Sequence, residues 1–83
     1  MHVTIKLYAT LADYLPAGAK ANRVEAEVAD NCTVTAALAP FALPAQLTHL
    51  VLVNGHFIPP GERESHRLAP GDTLAVWPPI AGG

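Results

Sequence analysis

Short segments of alternating apolar and polar side chains restrict this chain to a small fold built mainly of β-strands. Every second side chain is apolar in Val3–Tyr8 and again in Val24–Val28. A period of two is typical of strands that bury one face. Further along, Pro40 and Pro44 keep any helix short or kinked, because proline lacks an N–H and clashes with the preceding turn. We therefore expect several strands and one short helix.

The main helix is predicted to begin near Thr33. A threonine hydroxyl accepts a hydrogen bond from the first turn of a helix, and the helix-forming stretch Val34–Ala39 follows it directly. The earlier segment Ala9–Asn22 contains a proline and a glycine, and it is predicted to be a loop with a helical turn at Thr10–Tyr14.

The second half of the chain predicts three further strands. His49–Val53 is almost continuously apolar, which favours a central position in a sheet. Asn54-Gly55 then gives a strong hairpin signal, because both residue types tolerate positive φ, and a brief strand is expected at His56–Ile58. Pro and Gly within Leu68–Asp72 reverse the chain before a last strand at Thr73–Trp77.

The order of these elements predicts an α+β fold with a mixed sheet of four to five strands packed on one main helix. The long crossover after the first two strands places a later strand parallel to the first. At 83 residues, the chain has room for one domain with a modest core. We expect this domain to span 1–77, followed by a flexible tail at 78–83.

Composition and charge argue against several kinds of partner. The net charge is −2 and the sequence has no cluster of Lys or Arg, which argues against nucleic acid and anionic membranes. The longest apolar run is too short to span a bilayer. Met1–Thr4 leads straight into a strand without the apolar core of a signal peptide, and a single Cys32 fits a reducing compartment. We therefore expect a cytoplasmic protein.

The chain carries none of the common catalytic motifs, such as a phosphate-binding loop or a zinc-protease helix. Its four histidines lack metal-ligand spacing, although His49 and His56 can approach each other across the hairpin. Cys32 is more simply explained as a small filler than as a reactive thiol. A solvated loop is predicted for four charged residues, Glu62, Arg63, Glu64 and Arg67. Catalysis by this chain alone is not expected.

The last residues are suited to a reaction at the end of the chain. Gly82-Gly83 lacks Cβ atoms, so this backbone can approach another surface closely. Pro78-Pro79 favours an extended backbone before it. Extended at ~3.3 Å per residue, Pro78–Gly83 reaches roughly 20 Å, enough to deliver the Gly83 carboxylate into a narrow active site. The alternative is a frayed chain end with no function.

Several segments together resemble the MoaD/ThiS family of ubiquitin-like sulfur carriers. They are the opening Val3–Leu11, the hairpin segment Leu50–Gly55, the turn and strand Leu68–Ala75, and the tail Pro78–Gly83. The resemblance spans the whole chain and implies a β-grasp fold. The ending Pro-Pro-x-x-Gly-Gly most resembles the small subunit of molybdopterin synthase.

The resemblance implies a reaction at Gly83. An E1-like adenylating enzyme would use ATP to convert the Gly83 carboxylate to an acyl-adenylate, and a sulfur donor would then produce a thiocarboxylate. Gly82 would give the tail access to the large molybdopterin synthase subunit, where sulfur passes to a pterin precursor. The chain itself would be a non-catalytic subunit that binds no cofactor.

Phe57 and Trp77 are candidates for an apolar surface that contacts a partner, and core packing is the alternative for both. Partner contact is also expected for the tail residues Pro78, Pro79, Ile80 and Ala81.

Two other functions stay open. One is a sulfur carrier for thiamine, cysteine or tungsten-cofactor synthesis, or a protein modifier. The other is a β-grasp interaction module whose Gly-Gly is only a flexible end.

Overall fold

A five-stranded mixed sheet forms the main layer of the computed structural model, which describes residues 1–79. The strands are β1 (His2–Leu7), β2 (Arg23–Glu27), β3 (Leu50–Val53), β4 (His56–Phe57) and β5 (Thr73–Trp77). Their order across the sheet is β2-β1-β5-β3-β4. β1 and β5 are parallel, and the other neighbours are antiparallel. The predicted α+β architecture with parallel first and last strands is confirmed.

The centre of the sheet is β5 and not β3, so the position predicted for the third strand is wrong by one place. β5 pairs with β1 on one side and with β3 on the other, and its residues Leu74, Ala75 and Val76 are all buried. β3 is also paired on both sides, which explains its apolar sequence. Its Leu50 and Leu52 remain half-exposed.

One face of the sheet, called here the inner face, packs against the helix and forms the core. Its fully or nearly buried side chains are Val3, Ile5, Leu7, Val51, Val53, Leu74 and Val76. Val34, Leu38 and Leu11 complete the core from the opposite layer. The other face of the sheet, called the outer face, carries the alternate residues of each strand.

The main helix, α1, spans Val34–Leu38 and starts where the sequence predicts. The Thr33 side chain accepts a hydrogen bond from the Ala36 N–H at 3.1 Å, which caps the first turn. Pro40 prevents the helix from continuing, as predicted. The chain then forms two 3₁₀ turns, at Ala39–Phe41 and Ala45–Leu47.

The hairpin between β3 and β4 has the predicted turn. Asn54 and Gly55 both have positive φ, 51° and 85°. The Asn54 side chain donates to Asp72 Oδ1 and accepts from the Thr73 N–H, both at 2.9 Å. This amide therefore ties the hairpin to the turn before β5, which fixes the start of the central strand.

Arg63 is buried, so the prediction of a solvated loop is wrong at this residue. Only 8% of it is exposed, although its three charged neighbours in that loop are exposed. Its guanidinium donates to three backbone carbonyls: Nε to Ile58 at 3.0 Å, Nη1 to Thr48 at 2.9 Å and Nη2 to His49 at 2.9 Å. Backbone carbonyls inside a protein need hydrogen-bond donors, and the long forked side chain of Arg63 supplies one to each of these three.

Ala42→Gly is expected to raise the free energy of unfolding by about 0.5–1 kcal/mol. Ala42 has a φ of 53° after the first 3₁₀ turn, a left-handed conformation that costs an L-residue ~1–2 kcal/mol. The greater freedom of glycine in the unfolded chain offsets part of this gain. Ala36→Gly, within α1, is the matched control and should lower the same free energy by about 1 kcal/mol in urea titrations. Equal changes in the free energy of unfolding for the two substitutions would contradict the left-handed conformation of Ala42.

Candidate functional site

The end of β5 is held firmly in the middle of the sheet. The Tyr8 N–H donates to the Val76 carbonyl at 3.1 Å, and the His49 N–H donates to the Trp77 carbonyl at 3.2 Å. Pro78 is half-buried and Pro79 is exposed. The segment that follows therefore starts from a fixed point between two strands.

The predicted reacting residue and its neighbours, Ile80, Ala81, Gly82 and Gly83, lie outside the described residues. Their assignment as reacting group, access residue and partner contacts stays a prediction. The same holds for the predicted boundary between a domain at 1–77 and a tail at 78–83, although β5 does end at Trp77.

Trp77 is positioned by an aromatic partner that sequence reasoning missed. Its ring stacks on Tyr8, with ring centroids 4.2 Å apart and planes only 2° from parallel. An aromatic pair of this kind contributes about 0.5–1.5 kcal/mol beyond the area it buries. The signal was available in principle, because Tyr8 continues the outer-face alternation of β1 and β1 runs parallel to β5.

Phe57 and Trp77 lie on the same face of the sheet. Strand pairing sets Phe57 opposite Leu52, and Leu50 opposite Trp77, and residues directly opposite each other share a face. With Tyr8, which stacks on Trp77, these residues form the surface called here the apolar patch: Tyr8, Leu50, Leu52, Phe57 and Trp77. Phe57 is 52% exposed, and the other four members are half-buried. An exposed group of large apolar side chains is typical of a protein-binding surface.

Charged side chains lie along one side of the apolar patch. Strand pairing sets Lys6 beside Ala75 on one side and beside Arg23 on the other. The backbone of Arg23 also pairs with that of Lys20 in an isolated β-bridge. Lys6 is far in sequence from Lys20 and Arg23, which is why the sequence alone indicates no basic cluster. The patch therefore has a polar flank toward β2, to which Glu25 on the same face adds a negative charge.

The remaining reactive side chains do not assemble into a second site in the described part of the chain. Within residues 1–79, no three His, Cys, Asp or Glu side chains are grouped to hold a metal ion. Val53 pairs with His56, which leaves His49 at the other end of β3. The half-buried Cys32 thiol donates to the Thr33 carbonyl at 3.3 Å. None of the helices in residues 1–79 is long and apolar enough to cross a membrane.

A mixed five-stranded sheet that packs on one short helix, with parallel first and last strands, defines a β-grasp domain of the ubiquitin-like class. The family follows from the sequence match. The model of the ThiS family matches residues 5–83, nearly the whole chain. The chain therefore belongs to the ThiS family and has the fold of ubiquitin-like sulfur carriers and modifiers.

Solved structures agree with this assignment. SAMP1 from Haloferax volcanii is 29% identical, with a TM-score of 0.72 and 100% of each chain covered. A second structure of the same organism's small archaeal modifier protein 1 is 27% identical, with a TM-score of 0.65 and coverage of 95% of this chain and 98% of that one. No curated protein sequence matches this chain.

A third structure shares the fold at lower identity. It is the complex of subunits 1 and 2 of the molybdopterin-converting factor from Helicobacter pylori 26695. The matched chain is 18% identical, with a TM-score of 0.62 and full coverage of both chains. At this identity the likeness establishes the common fold and nothing more.

Proposed function

We propose that this chain is a sulfur carrier whose Gly83 carboxylate is converted to a thiocarboxylate and supplies sulfur for molybdopterin synthesis. The observation that carries the proposal is the family match, which extends through Gly83. The position of β5 supports it, because a central strand that ends at Trp77 places Pro78 and Pro79 at a fixed point next to the sheet.

The chemistry requires activation because a carboxylate is a poor electrophile. An adenylating partner transfers AMP from ATP to a Gly83 oxygen and releases pyrophosphate. A sulfide-level donor then attacks the carbonyl carbon, the bond to AMP breaks, and a C–S bond forms. The thiocarboxylate delivers this sulfur to a pterin precursor in the large synthase subunit, and the carboxylate is restored by water. ATP and the catalytic groups belong to the partners, and this chain binds no cofactor.

The molybdopterin destination is supported by the ending Pro78-Pro79 followed by Ile-Ala-Gly-Gly. The modifier role has support of its own, since the two archaeal modifier structures are more similar in sequence than the converting-factor subunit. In that second candidate function, the activated Gly83 carboxyl forms an amide with a lysine of another protein. A cytoplasmic location suits both roles, and the single free Cys32 supports it.

One experiment separates the two destinations. The thiocarboxylated protein is incubated with its candidate large subunit and a pterin precursor, and separately with ATP, the adenylating enzyme and a lysine-rich protein mixture. Carrier function predicts loss of the sulfur mass from the protein and its appearance in the pterin. Lysine conjugates that resist reducing agents, without any sulfuration of the pterin, would instead identify a modifier.

Phe57→Ala is expected to weaken binding of the adenylating enzyme or the large subunit by about ten- to a hundred-fold, or ~1.4–3 kcal/mol. Phe57 is more than half exposed, so its truncation should change the free energy of unfolding by less than about 1 kcal/mol. Binding is measured by calorimetry at two salt concentrations. It should persist at moderate salt, because burial of apolar surface supplies most of it.

Tyr14→Ala is the matched control for Phe57→Ala. Tyr14 is the other exposed large apolar residue of the described chain, at 37%, and it belongs to the 3₁₀ turn Ala9–Tyr14 outside the apolar patch. Its removal should leave partner affinity unchanged. Trp77→Ala should reduce both affinity and stability, because the Tyr8 stack is lost. Unchanged affinity after alanine at Phe57 and Trp77 together would disprove the patch as a binding surface.

A further inference from the structure

A groove of about 550 Å³ lies on the helix side of the sheet, away from the apolar patch. α1, the chain from Ala39 to Thr48, and the turn at Pro60–Arg63 form its walls. The walls are apolar apart from Thr35, Thr48 and Arg63. A concave apolar site with a few polar groups in this size range is typical of small-molecule pockets.

Arg63 gives this groove a positive charge that no ion pair among the described residues neutralises, although each of its guanidinium nitrogens donates to a backbone carbonyl. Within residues 1–79, no carboxylate forms an ion pair with Arg63, and its partners are the uncharged carbonyls of Ile58, Thr48 and His49. A guanidinium has more N–H groups than these three bonds use. Burial lowers the pKa of Arg63, yet an arginine remains protonated at neutral pH. A buried cation is ordinarily paired with an anion.

The size of the groove determines which occupant fits. A stable protein interface buries about 800 Å² on each partner, far more than the surface of a hollow between one short helix and two turns. A single small molecule fits better. The apolar walls favour a hydrocarbon part, and the N–H groups that the three carbonyls leave free on Arg63 favour an anionic acceptor such as a carboxylate.

We propose that this groove binds a small aliphatic carboxylate, with its hydrocarbon part against Leu38 and Leu43 and its carboxylate on Arg63. The site is separate from the Gly83 reaction and from the apolar patch. A ligand here contacts α1 and both adjoining turns, so its binding also stabilises the fold.

Octanoate is the probe, and octanol of the same chain length is the uncharged control. Both are titrated into the full chain, and amide chemical shifts are recorded by NMR. Octanoate should shift the amides of Thr35, Ala39 and Ala42 saturably, with an affinity at least about ten-fold above that of octanol, because a charge-assisted hydrogen bond contributes that much. Equal affinity of the two probes, or shifts elsewhere only, would overturn the proposal.

Two variants sharpen the test. Ala39→Trp fills the groove from an exposed position without altering Arg63, and it should abolish octanoate binding while the thermal midpoint changes little. Arg63→Met should remove the preference for octanoate over octanol if it folds, and the Ala39 variant decides the question if it does not. Undiminished octanoate binding by Ala39→Trp would overturn the proposal.

Discussion

Deletion of Gly83 is expected to abolish sulfur transfer while the domain keeps its fold and its stability. If the terminal carboxylate is the reacting group, a chain that ends at Gly82 presents its carboxylate about 3.3 Å short of the adenylating site. The fold should be unaffected, because β5 ends at Trp77 and the last buried residue within residues 1–79 is Val76. Activity is measured as pterin sulfuration, and stability as the urea midpoint.

Two further variants test whether length or backbone freedom matters. One residue added after Gly83 should be as damaging as the deletion, since the carboxylate again misses the reaction site. Gly82→Ala should be milder if its Cβ only crowds the partner's channel, and severe if that backbone requires positive φ. Full pterin sulfuration by the Gly83 deletion would contradict the carrier function and favour a passive interaction module.

Arg63→Ala is expected to lower the free energy of unfolding by about 2–4 kcal/mol. The substitution removes hydrogen bonds to the carbonyls of Ile58, Thr48 and His49, and a buried carbonyl left without a donor costs ~1–3 kcal/mol. For a domain of this size, such a loss lowers the melting temperature by about 10–25 °C. Urea and thermal unfolding followed by circular dichroism measure both quantities.

Arg67→Ala is the matched control, because Arg67 is exposed and donates one hydrogen bond, to the Asn31 carbonyl at 2.7 Å. Arg67→Ala should lower the free energy of unfolding by less than about 1 kcal/mol. Arg63→Lys should recover only part of the loss, since an ammonium lacks the planar fork that reaches three carbonyls. A change of less than 0.5 kcal/mol on Arg63→Ala would refute the structural role of this side chain.

Local patterns in the sequence were sufficient to predict most of the fold. The alternation in Val3–Tyr8, the cap at Thr33 and the Asn54-Gly55 turn each depend on neighbouring residues, and the structure has all three features. The parallel pairing of the first and last strands also follows, because the long crossover between them permits few other topologies.

Features that depend on distant residues were not predictable in the same way. Arg63 stands in a charged loop, and its burial depends on carbonyls at Thr48 and His49 that the fold brings beside it. The flank of Lys6 and Arg23 exists only because β1 and β2 pair in one register. The partner surface at Phe57 and Trp77 stays a prediction from the sequence, and the stack of Tyr8 on Trp77 was missed because it depends on the register of β1 against β5.

The central claim is that Gly83 carries sulfur, and intact-protein mass spectrometry tests it most directly. The chain is incubated with ATP, its adenylating enzyme and a sulfur donor, and the mass is compared with that of a sample lacking ATP. We expect the ATP-dependent appearance of a species in which sulfur replaces one oxygen, located at Gly83 by fragmentation and trapped by alkylation. An unchanged mass under these conditions, with the adenylating enzyme active on another carrier, would contradict the account.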